Sequence, residues 1–198
     1  MLDVIIIGAG PVGLAAAIEA KRSNLKYVVL EKGVLVNSIF HFPSQMRFFT
    51  TAALLEIGGH PLPSTALKPD RTMVLDYYRR VAELEQLKIK LNHEVKTISQ
   101  TVDGFDLNIV EIYRYQKKIH TFHAKHVVIA TGYFDTPNGL GGIPGEKGPN
   151  TSYYYTEPHS YFDKEVAVIG AGNSGAEVSL ELYHHGAKVT LIHNHDHF

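Results

Sequence analysis

The chain has 198 residues, of which 44% are hydrophobic, and a formal net charge of -1 at pH 7. This length can bury one hydrophobic core, or about one and a half domains. The near-neutral charge argues against a nucleic-acid partner, and no apolar run approaches the roughly 20 residues that span a bilayer. The chain has no cysteine, which excludes disulfides, thiolate metal sites and a redox-active Cys-x-x-Cys pair within it. The apolar opening is too short for a secretory signal, so we expect a cytoplasmic location.

A glycine motif occurs twice in the chain. GAGPVG at residues 8–13 follows the apolar run 4–7, and GAGNSG at residues 170–175 follows the apolar run 166–169. Both contexts predict a buried strand that turns tightly into a helix. In the dinucleotide-binding fingerprint the first glycine permits the turn, the second lets the backbone approach a pyrophosphate, and the third lets the helix pack closely. Two such motifs indicate two dinucleotides, and the usual reason for that pairing is hydride transfer from a nicotinamide to a flavin.

The first motif lies within a complete βαβ pattern. Residues 2–7 predict a strand, residues 11–23 an alanine-rich helix and residues 27–30 a second strand. Glu31 follows about 18 residues after Gly13, where the fingerprint places an acid that holds the ribose hydroxyls of an adenosine. The alternative is an ordinary solvated glutamate at the end of a strand.

The connection at residues 37–59 is unusually aromatic for a surface segment. It contains Phe40, Phe42, Met46, Phe48 and Phe49 among polar residues. This composition predicts either the lining of a cofactor pocket or core packing under a long loop, and it does not choose between them. Residues 70–86 then have helical spacing, and Asp70 is the expected N-cap.

The second half of the chain begins with strand-like periodicity. Segments 89–98, 105–114 and 119–122 predict a small antiparallel insertion, and residues 126–130 predict a separate buried strand. A cluster of proline and glycine between residues 137 and 145 marks a domain boundary. Residues 164–192 then repeat the opening order of strand, glycine turn, helix and strand.

Several blocks of the sequence carry a family resemblance. They are GAGPVGL at 8–14, EKG at 31–33, FPS at 42–44 through LEIGG at 55–59, ATGY at 130–133 and TEPH at 156–159. With these blocks the chain resembles the flavoprotein disulfide reductases that bind FAD and NAD(P), in particular the thioredoxin-reductase-like branch that includes bacillithiol-disulfide reductase-like proteins. The resemblance covers the whole chain.

The resemblance implies an α/β fold of two Rossmann-like dinucleotide-binding domains. The first, residues 1–136, would bind FAD and carry the antiparallel insertion; the second, residues 137–198, would be an incomplete NAD(P)H domain. The residues implied at FAD are Gly8, Gly10, Pro11, Gly13, Glu31, Lys32, Val95, Thr131 and Gly132. Those implied at NADPH are Gly170, Gly172, Asn173, Ser174, Gly175 and His193.

The identity of the second nucleotide depends on the end of the last predicted strand. His193 stands where an NAD-preferring enzyme would place an acid, and the absence of an acid favours NADP because an acid repels a 2′-phosphate. Relatives usually offer arginines there, whereas this chain has Asn194 and His195.

Two departures from the family pattern bear on the chemistry. The Cys-x-x-Cys pair of thioredoxin reductases is replaced by the stretch YYYTEPH at residues 153–159, and Val12 stands where related proteins often have a cysteine. We therefore expect hydride transfer from NADPH to FAD and then to a disulfide or another small acceptor, either a small molecule or a small protein. One alternative is a flavin-containing monooxygenase-like enzyme, because Tyr153 and His159 match the spacing of a motif in that family. Another alternative is a truncated, non-catalytic nucleotide-binding fragment.

The remaining expectations concern completeness and single residues. The chain is expected to be truncated at its C-terminus, because relatives return there to the flavin domain, and to come from a homodimer. His159 is the candidate acid or base at the predicted domain junction. The alternating His193, His195 and His197 could ligate a metal, but chain termini need no such role, so we predict no metal site.

Overall fold

The computed structural model describes residues 1–114 and 116–194. By its contacts the chain divides into two compact units. The first unit contains Met1–Phe42 and Met46–Gly142, and the second contains Pro43–Gln45 and Ile143–Phe198. The division after Gly142 lies within the proline- and glycine-rich cluster of the sequence. Each unit is described by itself below.

The first unit is built on a six-stranded sheet in the order β3-β2-β1-β6-β5-β4. Its strands are β1 (Leu2–Ile7), β2 (Tyr27–Leu30), β3 (Ile89–Lys90), β4 (His93–Thr101), β5 (Gly104–Tyr113) and β6 (Gln116–Ile129). β1 pairs in parallel with β2 and β6, while β5 pairs in antiparallel fashion with β4 and β6. All four residues of β2 are buried, as expected of a strand between two parallel neighbours in an α/β sheet.

The helices of the first unit pack on this sheet. They are α1 (Pro11–Arg22), the short α2 (Asn37–Phe40) and α3 (Arg71–Leu84), with a 3₁₀ turn at Ala52–Leu55. α1 buries Leu14, Ala17 and Ile18, whose spacing places them on one helical face. The predicted N-cap of α3 is confirmed, because the Asp70 carboxylate accepts a hydrogen bond of 2.8 Å from the Met73 N–H.

The predicted antiparallel insertion was wrong in its strand boundaries. The predicted segments 119–122 and 126–130 fall in one strand, β6, which ends at Ile129 and has no proline or glycine to interrupt it. Its last residues pair with β1 and its first residues pair with β5, so the insertion continues the parallel sheet. Its carboxyl end is also not buried, because Ile129 is 69% exposed.

The predicted strand at 89–98 was also wrong, because it is two strands. Ile89–Lys90 pairs in parallel with β2, and the antiparallel β4 begins only at His93. Between them Asn92 takes a left-handed backbone conformation with φ of 58°, which asparagine tolerates better than most residues. The chain thus turns from the parallel to the antiparallel part of the sheet within two residues.

The second unit contains the repeated βαβ pattern. β7 (Glu165–Ile169) and β8 (Lys188–Ile192) form a parallel pair, and α4 (Asn173–His184) connects them. This confirms the predicted order of strand, glycine turn, helix and strand. A 3₁₀ turn at His159–Tyr161 precedes β7. In the described ranges no helix is long and apolar enough to cross a membrane.

Candidate functional site

A cavity of about 750 Å³ opens in the first unit at the carboxyl ends of β1, β2 and β6. Ligands of open α/β sheets bind at this end of the strands, and the volume lies in the range of small-molecule sites. Of the residues that the sequence assigns to FAD, the ones that line the cavity are Gly8, Gly10, Pro11, Glu31, Lys32, Val95, Thr131 and Gly132. Gly13 is buried behind the glycine loop.

The loop between β1 and α1 depends on glycine for two different steric reasons. Gly8 has a φ of 103°, a conformation that residues with a side chain rarely adopt, and its N–H donates to the Leu30 carbonyl at 2.8 Å. At Gly13 a Cβ atom would overlap the carbonyl oxygen of Gly8, so the helix can approach the strand only with glycine there. At Gly10, by contrast, a Cβ would meet no heavy atom within 4 Å, and the backbone faces the cavity.

The N-terminus of α1 is suited to bind an anion. Gly10 occupies the N-cap position without a side-chain cap, and Pro11 is the first helical residue. The first turn of the helix contains no acidic residue. The N–H groups at a helix N-terminus and the helix dipole favour negative charge at this end, so a phosphate group in the cavity would find donors here.

Glu31 is a buried acid at the end of β2. The residue is 5% exposed, and its two carboxylate oxygens accept hydrogen bonds from the N–H of Ala9 at 2.8 Å and of Gly33 at 2.9 Å. These bonds tie the acid to the glycine loop and fix the direction of the carboxylate. Each oxygen retains a further lone pair with which to accept a hydroxyl of a ligand.

Lys32 lies at the cavity beside Glu31 but already has an acidic partner. Its ammonium forms an ion pair with Asp135 at 2.5 Å, and both side chains are nearly half exposed. Asp135 comes from the segment that follows β6, so the ion pair joins two segments of the cavity wall.

Aromatic residues of the 37–59 connection contribute to the cavity as well as to the core. The Phe42 ring contacts Phe48 at a centroid distance of 6.1 Å and Phe134 at 5.3 Å, and all three residues line the cavity. Phe48 is also part of the main core cluster. Phe40 and Phe49 are 47% and 39% exposed. Both predictions for residues 37–59 therefore hold in part: some of its side chains line the cavity, and some pack in the core.

Sequence reasoning missed several residues of the cavity wall. They are Val36, which precedes α2, together with His93, Glu94 and Asp135. Asn37, Ser38, Ile39 and Leu55 also line the cavity, but they belong to the 37–59 connection, for which pocket lining was one of the two predicted alternatives. Val36 has a φ of 47°, and its N–H donates to the Ala9 carbonyl at 3.0 Å, which anchors this segment to the glycine loop. The polar pair Asn37-Ser38 after the apolar residues 34–36 was the available signal, but it has no helical or strand period.

The second unit repeats the local geometry of the first glycine loop. Gly170 has a φ of 106°, and its N–H donates to the Ile192 carbonyl at 2.8 Å. A Cβ at Gly175 would overlap the Gly170 carbonyl oxygen, and Gly172 is the N-cap of α4. The predicted residues Gly172, Asn173 and Ser174 are exposed, and His193 follows β8. A second cavity, of about 610 Å³, is lined by other residues, among them Val166, Ala167 and Thr190.

The other predicted residues of the second unit lie before β7. His159 is exposed and opens the 3₁₀ turn. The Tyr153 hydroxyl donates to Glu146 at 2.5 Å, and this bond raises the pKa of Tyr153. Burial raises the pKa of Tyr155. Both phenols are therefore protonated near neutral pH. His195 and His197 lie outside the described residues.

Taken unit by unit, the glycine loops and the acid at the end of β2 define a Rossmann-like α/β protein with two dinucleotide-binding motifs. The profile of the pyridine nucleotide-disulphide oxidoreductases matches residues 5–198. The chain belongs to that family, and the predicted fold class is confirmed.

Individual relatives agree with this assignment. The chain is 38% identical to the bacilliredoxin reductase Bdr of Bacillus subtilis over 189 residues, which cover 96% of this chain and 56% of that protein. It matches the structure of the bacillithiol disulfide reductase Bdr (YpdA) from Bacillus cereus with a TM-score of 0.92 and 36% identity, over 97% of this chain and 58% of the other. The structure of a flavin-containing monooxygenase from Stenotrophomonas maltophilia matches with a TM-score of 0.78 and 26% identity, over 98% of this chain and 58% of the other. The chain therefore spans a little over half the length of these relatives.

Proposed function

We propose that this chain provides the FAD-binding part and the start of the NADPH-binding part of a flavin-dependent pyridine-nucleotide oxidoreductase. The observation that carries the proposal is the cavity of the first unit, where a helix N-terminus, a buried carboxylate and the end of β6 meet. In this proposal residues 1–136 bind FAD and residues 137–198 bind NADPH, as in the predicted domains.

The residues at the cavity fit an adenine dinucleotide. The backbone at Gly10 has open space in front of it, so a pyrophosphate can approach the N–H groups of α1. Glu31 would accept hydrogen bonds from ribose hydroxyls, since its carboxylate is held in place by Ala9 and Gly33. Val95 would lie near the adenine, and Thr131 and Gly132 near the flavin ring. The apolar wall, with Phe42, would exclude water from the ring.

The second glycine loop supports a proposal for NADPH. Gly170, Gly172 and Gly175 repeat the geometry of the first loop, with Asn173 and Ser174 at the start of α4. His193 stands at the end of β8, where an acid would disfavour a 2′-phosphate. When both cofactors are bound, NADPH would supply a hydride and the flavin would pass the electrons to the acceptor.

We propose a small disulfide as the acceptor, because two relatives, at 38% and 36% identity, are named as a bacilliredoxin reductase and a bacillithiol disulfide reductase. The chain itself has no cysteine. An exchange relay would therefore need thiols from another molecule or chain segment, and direct reduction by the flavin is the simpler route. A cytoplasmic homodimer is part of the same proposal. His159 remains the candidate acid or base, since it is exposed and free to meet a substrate.

A flavin-containing monooxygenase is the second candidate. It is favoured by the structural match at a TM-score of 0.78 and by the positions of Tyr153 and His159. The two candidates share the cofactors and differ in the use of oxygen.

An anaerobic titration of the FAD-loaded chain with NADPH tests the proposal. Bleaching of the visible flavin spectrum within the first equivalents is the expected result, because it requires both nucleotide sites. A retained but unbleached flavin would contradict the proposed NADPH site, and loss of the flavin on gel filtration would contradict the FAD site. After reduction, addition of oxygen separates the candidates: a long-lived oxygenated flavin favours the monooxygenase, and rapid reoxidation by a low-molecular-weight disulfide favours the reductase.

A further inference from the structure

Three neighbouring strands bring two histidines and a glutamate together outside the glycine loop. His93 begins β4, Glu111 lies in β5 and His120 lies in β6. One ligand atom from each of the three side chains lies within 4.8 Å of the other two. The strand register explains the grouping. Glu111 pairs with His93 of β4 on one side and with Lys118 of β6 on the other, and His120 lies two residues after Lys118 in β6. All three side chains therefore project from one face of the sheet.

The two histidines are already oriented for a shared ligand. The His93 Nδ1 lies 2.7 Å from the Leu91 carbonyl oxygen, and because that oxygen can only accept, Nδ1 is the donor and Nε2 is the nitrogen left to bind an ion. The imidazole rings of His93 and His120 are stacked at a centroid distance of 6.0 Å with an angle of 18°. A backbone carbonyl bound to the second nitrogen of a histidine is the usual support of a metal ligand.

Glu111 supplies the negative charge of the cluster. Its carboxylate lies 2.7 Å from the His120 Nε2, and that hydrogen bond lowers the pKa of Glu111. Lys118 faces Glu111 across β5 and β6 and is the opposing cation, but its side chain is exposed and can extend into water. The His120 and Glu111 side chains are 36% and 30% exposed, which leaves a path for an ion from solvent, whereas His93 is buried.

We propose that His93, Glu111 and His120 form a binding site for a divalent transition-metal ion of the zinc type. Two imidazole nitrogens and one carboxylate oxygen are a ligand set that such ions prefer, and a water molecule completes a tetrahedral site. Binding replaces the hydrogen bond between His120 and Glu111 by one bond from each group to the ion, and the His120 proton moves to Nδ1 or to solvent. Ligand atoms on one tetrahedral Zn²⁺ lie about 3.3 Å from each other. The Glu111 and His120 atoms, now 2.7 Å apart, would therefore open slightly, and the His93 nitrogen, within 4.8 Å of both, would move toward them.

The position of this metal site links it to the main cavity. His93 lines the cavity, and its N–H donates to the Glu31 carbonyl at 2.8 Å. An ion bound to His93 would cross-link β4, β5 and β6 and hold this part of the wall in one arrangement. The zinc proposal is argued from these three side chains and does not depend on the proposed oxidoreductase function.

Isothermal titration of the untagged chain with ZnCl₂ tests the site, with MgCl₂ as the hard-ion comparison. We expect one Zn²⁺ per chain, no Mg²⁺ binding, and at least a tenfold loss of zinc affinity in both Glu111→Gln and His120→Asn. Both substitutions are on partly exposed side chains, and far-UV circular dichroism checks that the variants fold. The melting temperature should rise with Zn²⁺ in the parent chain and not in the variants.

His123→Asn is the matched control. His123 lies 2.7 Å from Asp106, across the same two strands but on the opposite face of the sheet. Among the described residues this pair belongs to no group of three candidate metal ligands. Zinc affinity should be unchanged in this variant. Absence of stoichiometric binding, equal affinity in all chains, or an equal loss in the control would each overturn the proposal.

Discussion

Two glycines of the first loop, Gly10 and Gly13, differ in what a side chain would meet. A Cβ at Gly13 would overlap the Gly8 carbonyl oxygen, whereas a Cβ at Gly10 would enter open space. The first position is therefore a packing constraint on the α1–β1 contact, and the second is a surface that a ligand can approach. The same contrast separates Gly172 from Gly175 in the second unit.

This contrast makes opposite predictions for two alanine variants. Gly13→Ala should lower the free energy of unfolding by about 1–3 kcal/mol, because the helix must move away from the strand. Gly10→Ala should cost less than about 1 kcal/mol but should weaken FAD retention, because the methyl group occupies the approach of the pyrophosphate. Urea unfolding and flavin retention on gel filtration measure the two effects. Equal losses of stability in the two variants would contradict the assigned roles.

Glu31 gives a second prediction at the level of one residue. Glu31→Gln should weaken FAD binding on the order of tenfold or more, because a neutral amide is a poorer acceptor for ribose hydroxyls than a carboxylate. The readout is the dissociation constant of FAD, followed by flavin fluorescence.

Glu94→Gln is the control for that variant. Glu94 also lines the cavity, but its carboxylate is paired with Lys96 at 2.6 Å and receives no bond from the glycine loop. FAD affinity should stay within about twofold of the parent chain in this variant. An equal loss in both variants would assign the effect to general charge at the cavity, and an unchanged affinity in Glu31→Gln would remove the ribose role.

At the level of elements, one side chain joins the two main helices of the first unit. Glu85 follows the last residue of α3 and lies 3.1 Å from Lys21 of α1 and 2.8 Å from His60. The hydrogen bond from His60, followed by that from Lys21, lowers the pKa of Glu85 below its ordinary value of 4.5. The carboxylate is therefore more stable in the folded chain than in the unfolded chain.

The sign of this shift gives a pH dependence. The stability from Glu85 is fully present above pH 4.5 and is lost as the pH falls through the lowered folded pKa. Glu85→Gln should lower the melting temperature at pH 7 by a few degrees, and the difference from the parent chain should shrink below pH 4.5. Thermal scans by circular dichroism at a series of pH values measure this difference in melting temperature.

Glu83→Gln is the matched variant on the same helix. Glu83 forms an exposed pair with Arg79, at 63% and 55% side-chain exposure, and exposed pairs contribute little. The melting temperature of the Glu83→Gln variant should stay close to that of the parent chain. A difference for Glu85→Gln that is constant over the whole pH range would contradict the role of the charge.

For the whole molecule, the repeated loop geometry and the family assignment address different questions. The two glycine loops have nearly the same φ at their first residue, 103° and 106°, and the same close contact at their last. Family membership follows from the match over residues 5–198. The chain covers only 56% of the B. subtilis relative, so the reaction of the whole protein stays a proposal. The anaerobic titration tests that proposal for the whole chain.

The sequence by itself determined the features that depend on local chemistry. The two glycine turns, the strand β1 at Leu2–Ile7, the N-cap Asp70 and the acid at the end of β2 follow from periodicity, turn residues and fixed spacing. The steric contact within each glycine turn and the Asp70 cap join residues close together in the chain, and the position of the acid follows from its fixed spacing after the first glycine motif. This is also why the two βαβ patterns were predictable.

Only the tertiary structure decided what depends on pairing between distant segments. β6 is continuous because one part pairs with β1 and another with β5, and no local signal encodes two partners for one strand. The cluster of His93, Glu111 and His120 exists only because the antiparallel register places residues from three strands on one face. In the same way, α2 reaches the cavity through the bond from Val36 to Ala9. Local spacing sets which turns and caps form, whereas strand register and long-range hydrogen bonds set which side chains meet.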